Sequence, residues 1–193
     1  MDRENHSLTL YTAQSDTVLQ VLRRDGACYS RQEYVARKYG ESSKVFLTAY
    51  NWFVKAAVEI VPKPPEAELP YWAFQDLYSL DTSGGNVLKL LVPANQVVLF
   101  DLYSWNKVLC MKYLAETAAD ERAFSRELSL RGLQESDVML TGFYPDLRQR
   151  ILDSWPRLLR HHYALLAGDT SGVGSVQAGL WQLRAEWVQE GLF

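Results

Sequence analysis

The chain has 193 residues, of which 48% are hydrophobic, and a formal net charge of −3. That length suits one domain with a substantial core and argues against intrinsic disorder. The negative balance argues against a general basic face for nucleic acid, although it does not exclude a nucleic-acid target. No run approaches the ~20 apolar residues that cross a bilayer, so no membrane partner is expected.

Met1 to Asn5 are polar and no apolar stretch follows, which predicts no signal peptide and a cytoplasmic protein. Residues 1–7 are expected to be irregular. Leu8 to Ala13 alternates apolar and polar side chains and reads as a strand. Ser15 or Asp16 caps a helix whose apolar face is Val18, Leu19, Val21 and Leu22, and Gly26 ends it. Tyr11, Thr12 and Gln14 therefore run straight into a helix N-terminus. Hydrogen-bonding side chains beside that positive dipole end suit an anionic or nucleotide ligand. Ser30-Arg31-Gln32-Glu33 matches a capping box and predicts a short helix to Tyr39, stopped at Gly40. Ser42-Ser43 opens a longer amphipathic helix carrying Val45, Phe46, Ala49, Tyr50, Phe53, Ala56, Ala57 and Ile60. Pro62, Pro64 and Pro65 make a stiff loop.

Pro70 to Asp76 is aromatic and strand-like. A turn at Thr82 to Asn86 leads to a strand over Val87 to Val92. Pro93-Ala94-Asn95 breaks it, and Val97 to Phe100 resumes extended structure. Asp101 reads as the N-cap of a helix with Trp105, Val108, Leu109 and Tyr113. A charged helix is expected from about Ala118 to Leu130, ending at Arg131-Gly132. Val138-Met139-Leu140 reads as a short strand. Pro145 to about Tyr163 reads as a helix bent or interrupted near Pro156. Gly168 to Ser175 reads as a mobile loop. Val176 to Leu183 reads as a strand with Arg184 to Glu190 helical behind it, or else as a single helix. The order predicts a single α+β domain with small, mostly antiparallel sheets packed by helices. No GxGxxG or P-loop pattern is present.

Chemistry-bearing residues are sparse. His161 and His162 are adjacent on an expected helix, about 100° apart, so one ion cannot be chelated from one face; no metal is expected. Cys28 and Cys110 belong to no CxxC pair and read as a buried thiol pair in a reducing compartment. Six Trp and eleven Tyr form a heavy aromatic load. Strand alternation puts Tyr71, Ala73 and Gln75 on one face and Trp72 and Phe74 on the other. The plain reading makes Trp72 and Phe74 core. The sharper reading has Tyr71 and Gln75 facing a cleft where a base or nicotinamide ring stacks. Asp101 and Trp105 read as a helix cap and a packed indole, and Glu186 as a solvated helix residue. Gln177, directly after the glycine-rich loop, is placed to meet a ligand.

Several of these segments resemble an uncharacterised bacterial family, domain of unknown function 3841. They are Leu10-Tyr11-Thr12-Ala13-Gln14 with Gly26, Leu69 to Phe74, Leu90 to Trp105, and Val176 to Val188. The segment order also resembles, more distantly, ADP-ribosyltransferase-like folds, in particular DNA-targeting ADP-ribosyltransferase toxins. That resemblance implies an NAD cleft and a role in bacterial or phage conflict. Tyr11, Thr12 and Gln14 would line the nicotinamide and ribose side, and Tyr71 would stack on the nicotinamide. Gln177 would occupy the position of the catalytic glutamate. Two residues depart from that pattern. Thr12 stands where a histidine is common. Gln177 supplies no negative charge, and losing that charge removes on the order of 3 kcal/mol of transition-state stabilisation. The alternative is a protein-interaction module, such as a phage-encoded inhibitor or an antitoxin-like partner, with exposed Tyr and Trp as anchors.

Overall fold

Alternating side chains from Ser7 to Gln14 form β1, an inner strand of the main sheet. A computed structural model describes residues 6–40, 43–83 and 85–190. Residues 1–5 of the expected irregular terminus, Ser42 of the third-helix start and Gly84 of the expected turn lie outside them.

After β1 come α1 (Asp16–Asp25), β2 (Ala27–Cys28), α2 (Gln32–Tyr39), α3 (Ser43–Ala57), β3 (Tyr71–Phe74), β4 (Asn86–Pro93) and β5 (Val98–Asp101). Then follow α4 (Leu102–Leu109), α5 (Ala118–Leu130), α6 (Glu135–Thr141), α7 (Pro145–Ser154), α8 (His162–Leu166), β6 (Val176–Leu180), β7 (Leu183–Arg184) and β8 (Val188–Glu190). The first six-stranded sheet runs β5-β6-β3-β1-β4-β8 with every neighbouring pair antiparallel, and β2 and β7 form a separate antiparallel ribbon. This is a single α+β domain.

Each face of the main sheet buries its own core. On one face, Trp72, Val98 and Phe100 meet Phe53 and Ala57 of α3, Trp105 and Val108 of α4, and Phe124, Ile151 and Trp155 from the later helices. On the other, Leu10, Leu88, Leu90, Leu99, Ala178 and Leu180 meet Leu19 and Leu22 of α1, Leu165 of α8, and Leu183 and Trp187. The thick helical layer stops near β3. Beyond it, the same face of β1 and β4 carries Thr9 and Leu91, both exposed.

Local signals act as their chemistry requires. Gly26 ends α1 with φ 75°, a conformation that lets its N–H reach the Leu22 carbonyl. Asp101 caps α4, its Oδ2 accepting from Ser104 N at 2.8 Å. The first amide of α2 finds its acceptor far away in sequence: Gln32 N donates to Glu68 Oε2 at 2.9 Å.

Three readings are corrected. Val138-Met139-Leu140 lies in α6, not a strand. Gln134 and Asp137 form a reciprocal capping box, and Gly142 closes the helix in the left-handed conformation. Three apolar residues are too few to reveal a period, and burial of Val138 and Met139 against the helical core decides. Arg184 to Glu190 is not a helix. Arg184 pairs with Ala27 and Val188 with Leu90, so strand pairing overrides local propensity around a short 3₁₀ turn. Cys28 is buried but Cys110 is exposed, so the two are not a buried pair. Pairing of β6 on both sides also decides between the two readings of Val176 to Leu183: its first five residues are strand.

Candidate functional site

β1 and β3 share one register pair, Tyr11 opposite Phe74, and part beyond it. Thr12 bridges the gap, its Oγ1 donating to the Trp72 carbonyl at 2.8 Å. Gln14 Nε2 donates in turn to Thr12 Oγ1 at 2.7 Å. Where the strands separate, a cleft of about 820 Å³ opens. That volume lies within the range of small-molecule sites.

Elements from both faces close the cleft. α1 supplies Thr17, Val18 and Val21, and α2 supplies Tyr34 and Arg37. Tyr50 of α3 and Trp105 and Asn106 of α4 form the opposite wall, with Ser79, Leu80 and Asp81 from the segment after β3. Ser15, the N-cap of α1, lines the cleft and makes no side-chain cap bond. Among the described lining residues, the charged ones are Arg37 and Asp81, both exposed. Asp81 Oδ1 accepts from the Ser83 amide and hydroxyl.

The structure brings Thr12, Gln14, Tyr71 and Gln177 to this cleft. Tyr11 and Gln75 are not among its lining residues. Tyr11 faces the row formed with Phe74 and Lys89, and Gln75 lies exposed past the end of β3, its amide donating to the Val176 carbonyl. Tyr71 presents less ring than a stacking platform requires. It is 8% exposed, belongs to the core on the α1 face, and donates its hydroxyl to Cys28 Sγ at 3.0 Å. Burial first, and then that bond, push the phenol pKa well above its usual value, so the group stays neutral. Trp72 and Phe74, assigned by the plain reading to the core alone, are half-buried and border the cleft. Trp72 belongs to a cluster of rings with Tyr50, Phe53, Phe100 and Trp105, centroids 4.9 to 5.9 Å away.

Gln177 sits at the base. Its position on β6 sets it between Phe74 and Phe100 in register, on the same face. It is 3% exposed, and its Oε1 has no hydrogen-bond partner among the described protein groups. The glycine-rich loop before it is tied to α4. Asp101 Oδ1 accepts from Gly174 N at 3.0 Å, and Leu102 N donates to the Ser175 carbonyl at 2.8 Å. Sequence reasoning missed Arg37, Trp105 and Asp81 as lining residues. The one signal for Arg37 is its i, i+3 spacing from Tyr34 on the face of α2 that meets the cleft.

The histidines take no part in the cleft. His162 is buried, its Nδ1 accepting from Leu99 N at 3.0 Å, and burial pushes its pKa down to about 4. Arg160 Nε donates to His161 Nε2. No group of three or more His, Cys, Asp and Glu among the described residues could hold a metal ion, and no described helix is long and apolar enough to cross a membrane.

A family model described as Domain of unknown function (DUF3841) matches residues 9–189. The chain belongs to this family. No curated protein and no solved structure matches it. The DUF3841 match runs from β1 into β8, so the unit shared by the family includes both sheets, the helical layer and the cleft.

Proposed function

We propose that this DUF3841 protein is an ADP-ribosyltransferase-like protein that binds NAD or a related nucleotide in the cleft between β1 and β3. One observation carries the reading. Thr12, Gln14, Tyr71 and Gln177, singled out by their strand and loop positions and again by the resemblance, converge on a ligand-sized cavity bordered by aromatic rings and by the N-cap of a ten-residue helix. On this reading Trp72 and Phe74, rather than Tyr71, offer the surface on which a flat ring rests. Arg37 and the α1 N-terminus favour the phosphates. Binding is better supported than transfer, because Gln177 supplies no charge where an oxocarbenium-like transition state needs a carboxylate. Asp81 is the carboxylate among the described lining residues, and it lies in the exposed segment after β3. The interaction-module reading loses its tryptophans, which are buried or half-buried, and keeps the exposed tyrosines Tyr34, Tyr78, Tyr103 and Tyr163.

The test is thermal unfolding with NAD, ADP-ribose and nicotinamide at millimolar concentration, on the wild type and on Gln14→Leu. A ligand present at ten times its Kd raises Tm by about 3 °C for a chain of this size. The expected result is a shift with NAD that falls in Gln14→Leu. Absence of any shift with all three ligands would overturn the proposal. Tyr71→Ala is a poor diagnostic, because truncating a ring buried in the core lowers stability regardless of ligand.

A further inference from the structure

We propose that Gln177 is the polar anchor of the cleft, and that it receives an uncharged N–H donor carried on a planar group, either a carboxamide or the amino group of a base. This assignment rests on the reading of the cleft as a nucleotide site and names the contact that would give it specificity.

The first observation is the orphaned oxygen. Gln177 is 3% exposed and lines the cavity, yet its Oε1 accepts no hydrogen bond from the described protein groups. Native proteins pair nearly all such atoms, because an unpaired buried acceptor is unfavourable. Water scarcely touches that oxygen as the amide stands; turning the amide about its terminal torsion, a soft rotation, brings it to the cavity, where a donor on the ligand satisfies it. The second observation is the shape of the surroundings. Phe74 lies beside Gln177 in register and lines the cavity, as do the indoles of Trp72 and Trp105. Ring walls favour a flat, polarisable group over a branched or saturated one. The third is charge. Gln177 is neutral, and Arg37 and Asp81 lie on exposed segments. A localised charge such as an ammonium held against Gln177 would be buried without a counter-charge, whereas the N–H of a carboxamide or an aromatic amine brings no charge of its own to the oxygen. A carboxylate fails for a different reason, since it offers Oε1 no donor.

The experiment compares NAD with two analogues by calorimetric titration and thermal unfolding. One replaces the nicotinamide carboxamide by a carboxylate. The other replaces the adenine amino group by a carbonyl. Both are measured on the wild type, Gln177→Met and Gln177→Leu. The wild type is expected to bind one analogue at least about tenfold more weakly than NAD, and which analogue it is identifies the end of the ligand at Gln177. In both variants that discrimination should vanish. Without ligand, at least one variant should melt no lower than the wild type, and up to about 3 °C higher, because an unpaired buried oxygen has been removed. Equal binding of NAD and both analogues to the wild type overturns the assignment, as does discrimination that survives in the variants. A loss of several degrees in both ligand-free variants also overturns it, by revealing that Oε1 is satisfied internally. If NAD itself does not bind the wild type, the nucleotide reading fails and takes this assignment with it. If NAD binds but the variants discriminate as before, only the assignment fails.

Discussion

At position 179 the absence of a side chain lets α3 approach the sheet. A Cβ there would lie 2.9 Å from Phe53 Cζ and 3.5 Å from Trp72 Cζ3. Both rings belong to the cluster behind the cleft, so Gly179→Ala is expected to destabilise by about 1–3 kcal/mol through overpacking. Chemical denaturation measures that loss, and Phe53→Leu in the Gly179→Ala background should recover part of it. An unchanged denaturation midpoint would mean that α3 can lift from the sheet freely. The tryptophans show the same economy of space with polarity added. Trp155 donates its indole N–H to the Lys112 carbonyl at 2.9 Å, and Trp181 donates to that of Val61 at 2.8 Å. A buried indole needs such a partner, and here each partner is a loop carbonyl far away in sequence. Composition therefore revealed the aromatic load but not its use. At Gln177 the position was legible from the loop and strand pattern, whereas the burial that leaves its oxygen unpaired comes from tertiary packing.

Among the elements, α4 and the loop before β6 depend on one carboxylate. Asp101 Oδ2 holds the Ser104 amide and hydroxyl, and its Oδ1 takes the Gly174 amide. Asp101→Ala is expected to cost about 2 kcal/mol, at the upper end for a helix cap, because it frees donors on two segments. Amide hydrogen exchange should then accelerate at Ser104 and at Gly174 together. Acceleration at Ser104 alone would show that the loop is held by other contacts. The capping role was readable from Asp101 before an apolar helical pattern. Its second role was not, since Gly174 lies 73 residues further on. The misread elements fail for a related reason. Val138 to Leu140 and Arg184 to Glu190 are short, and short segments take the conformation their tertiary neighbours offer. By contrast, α5 carries its own signals, with Thr117 Oγ1 accepting from Asp120 N and Arg131-Gly132 following its end. The ion pairs of Glu127 with Arg131 and Arg150 add little to it, being partly exposed.

For the whole molecule, His162 couples α8 to an edge of the main sheet. β5 is an outer strand, and the Leu99 N–H that a further strand would otherwise take is accepted by His162 Nδ1. Accepting there requires the neutral imidazole protonated at Nε2. Burial lowers the folded pKa to about 4, against about 6.5 in the unfolded chain. Between those values the unfolded chain binds more protons than the folded one. The stabilisation from neutral His162 is therefore fully present above about pH 6.5 and is lost as pH falls toward 4, amounting to about 3 kcal/mol. Urea denaturation at pH 7 and pH 4.5 should show this loss, and His162→Asn, which keeps an acceptor but does not titrate, should reduce it. An equal pH dependence in the variant would assign the acid sensitivity to other groups.

By itself the sequence determined the class of fold and most of its local boundaries, because caps, glycine stops and apolar periods act over a few residues. It also marked Thr12, Gln14, Tyr71 and Gln177 as residues worth bringing together. Only the tertiary structure decided that β1 and β3 separate after one register pair, that Tyr71 turns into the core while Trp72 and Phe74 border the opening, and that Tyr11 and Gln75 stay outside it. Those outcomes depend on strand pairing and on which helices cover which half of a sheet. Such contacts join residues distant in sequence, 60 positions apart for Thr12 and Trp72 and 43 for Tyr71 and Cys28. No local pattern encodes them, because the free energy that selects them comes from burial shared by the whole core.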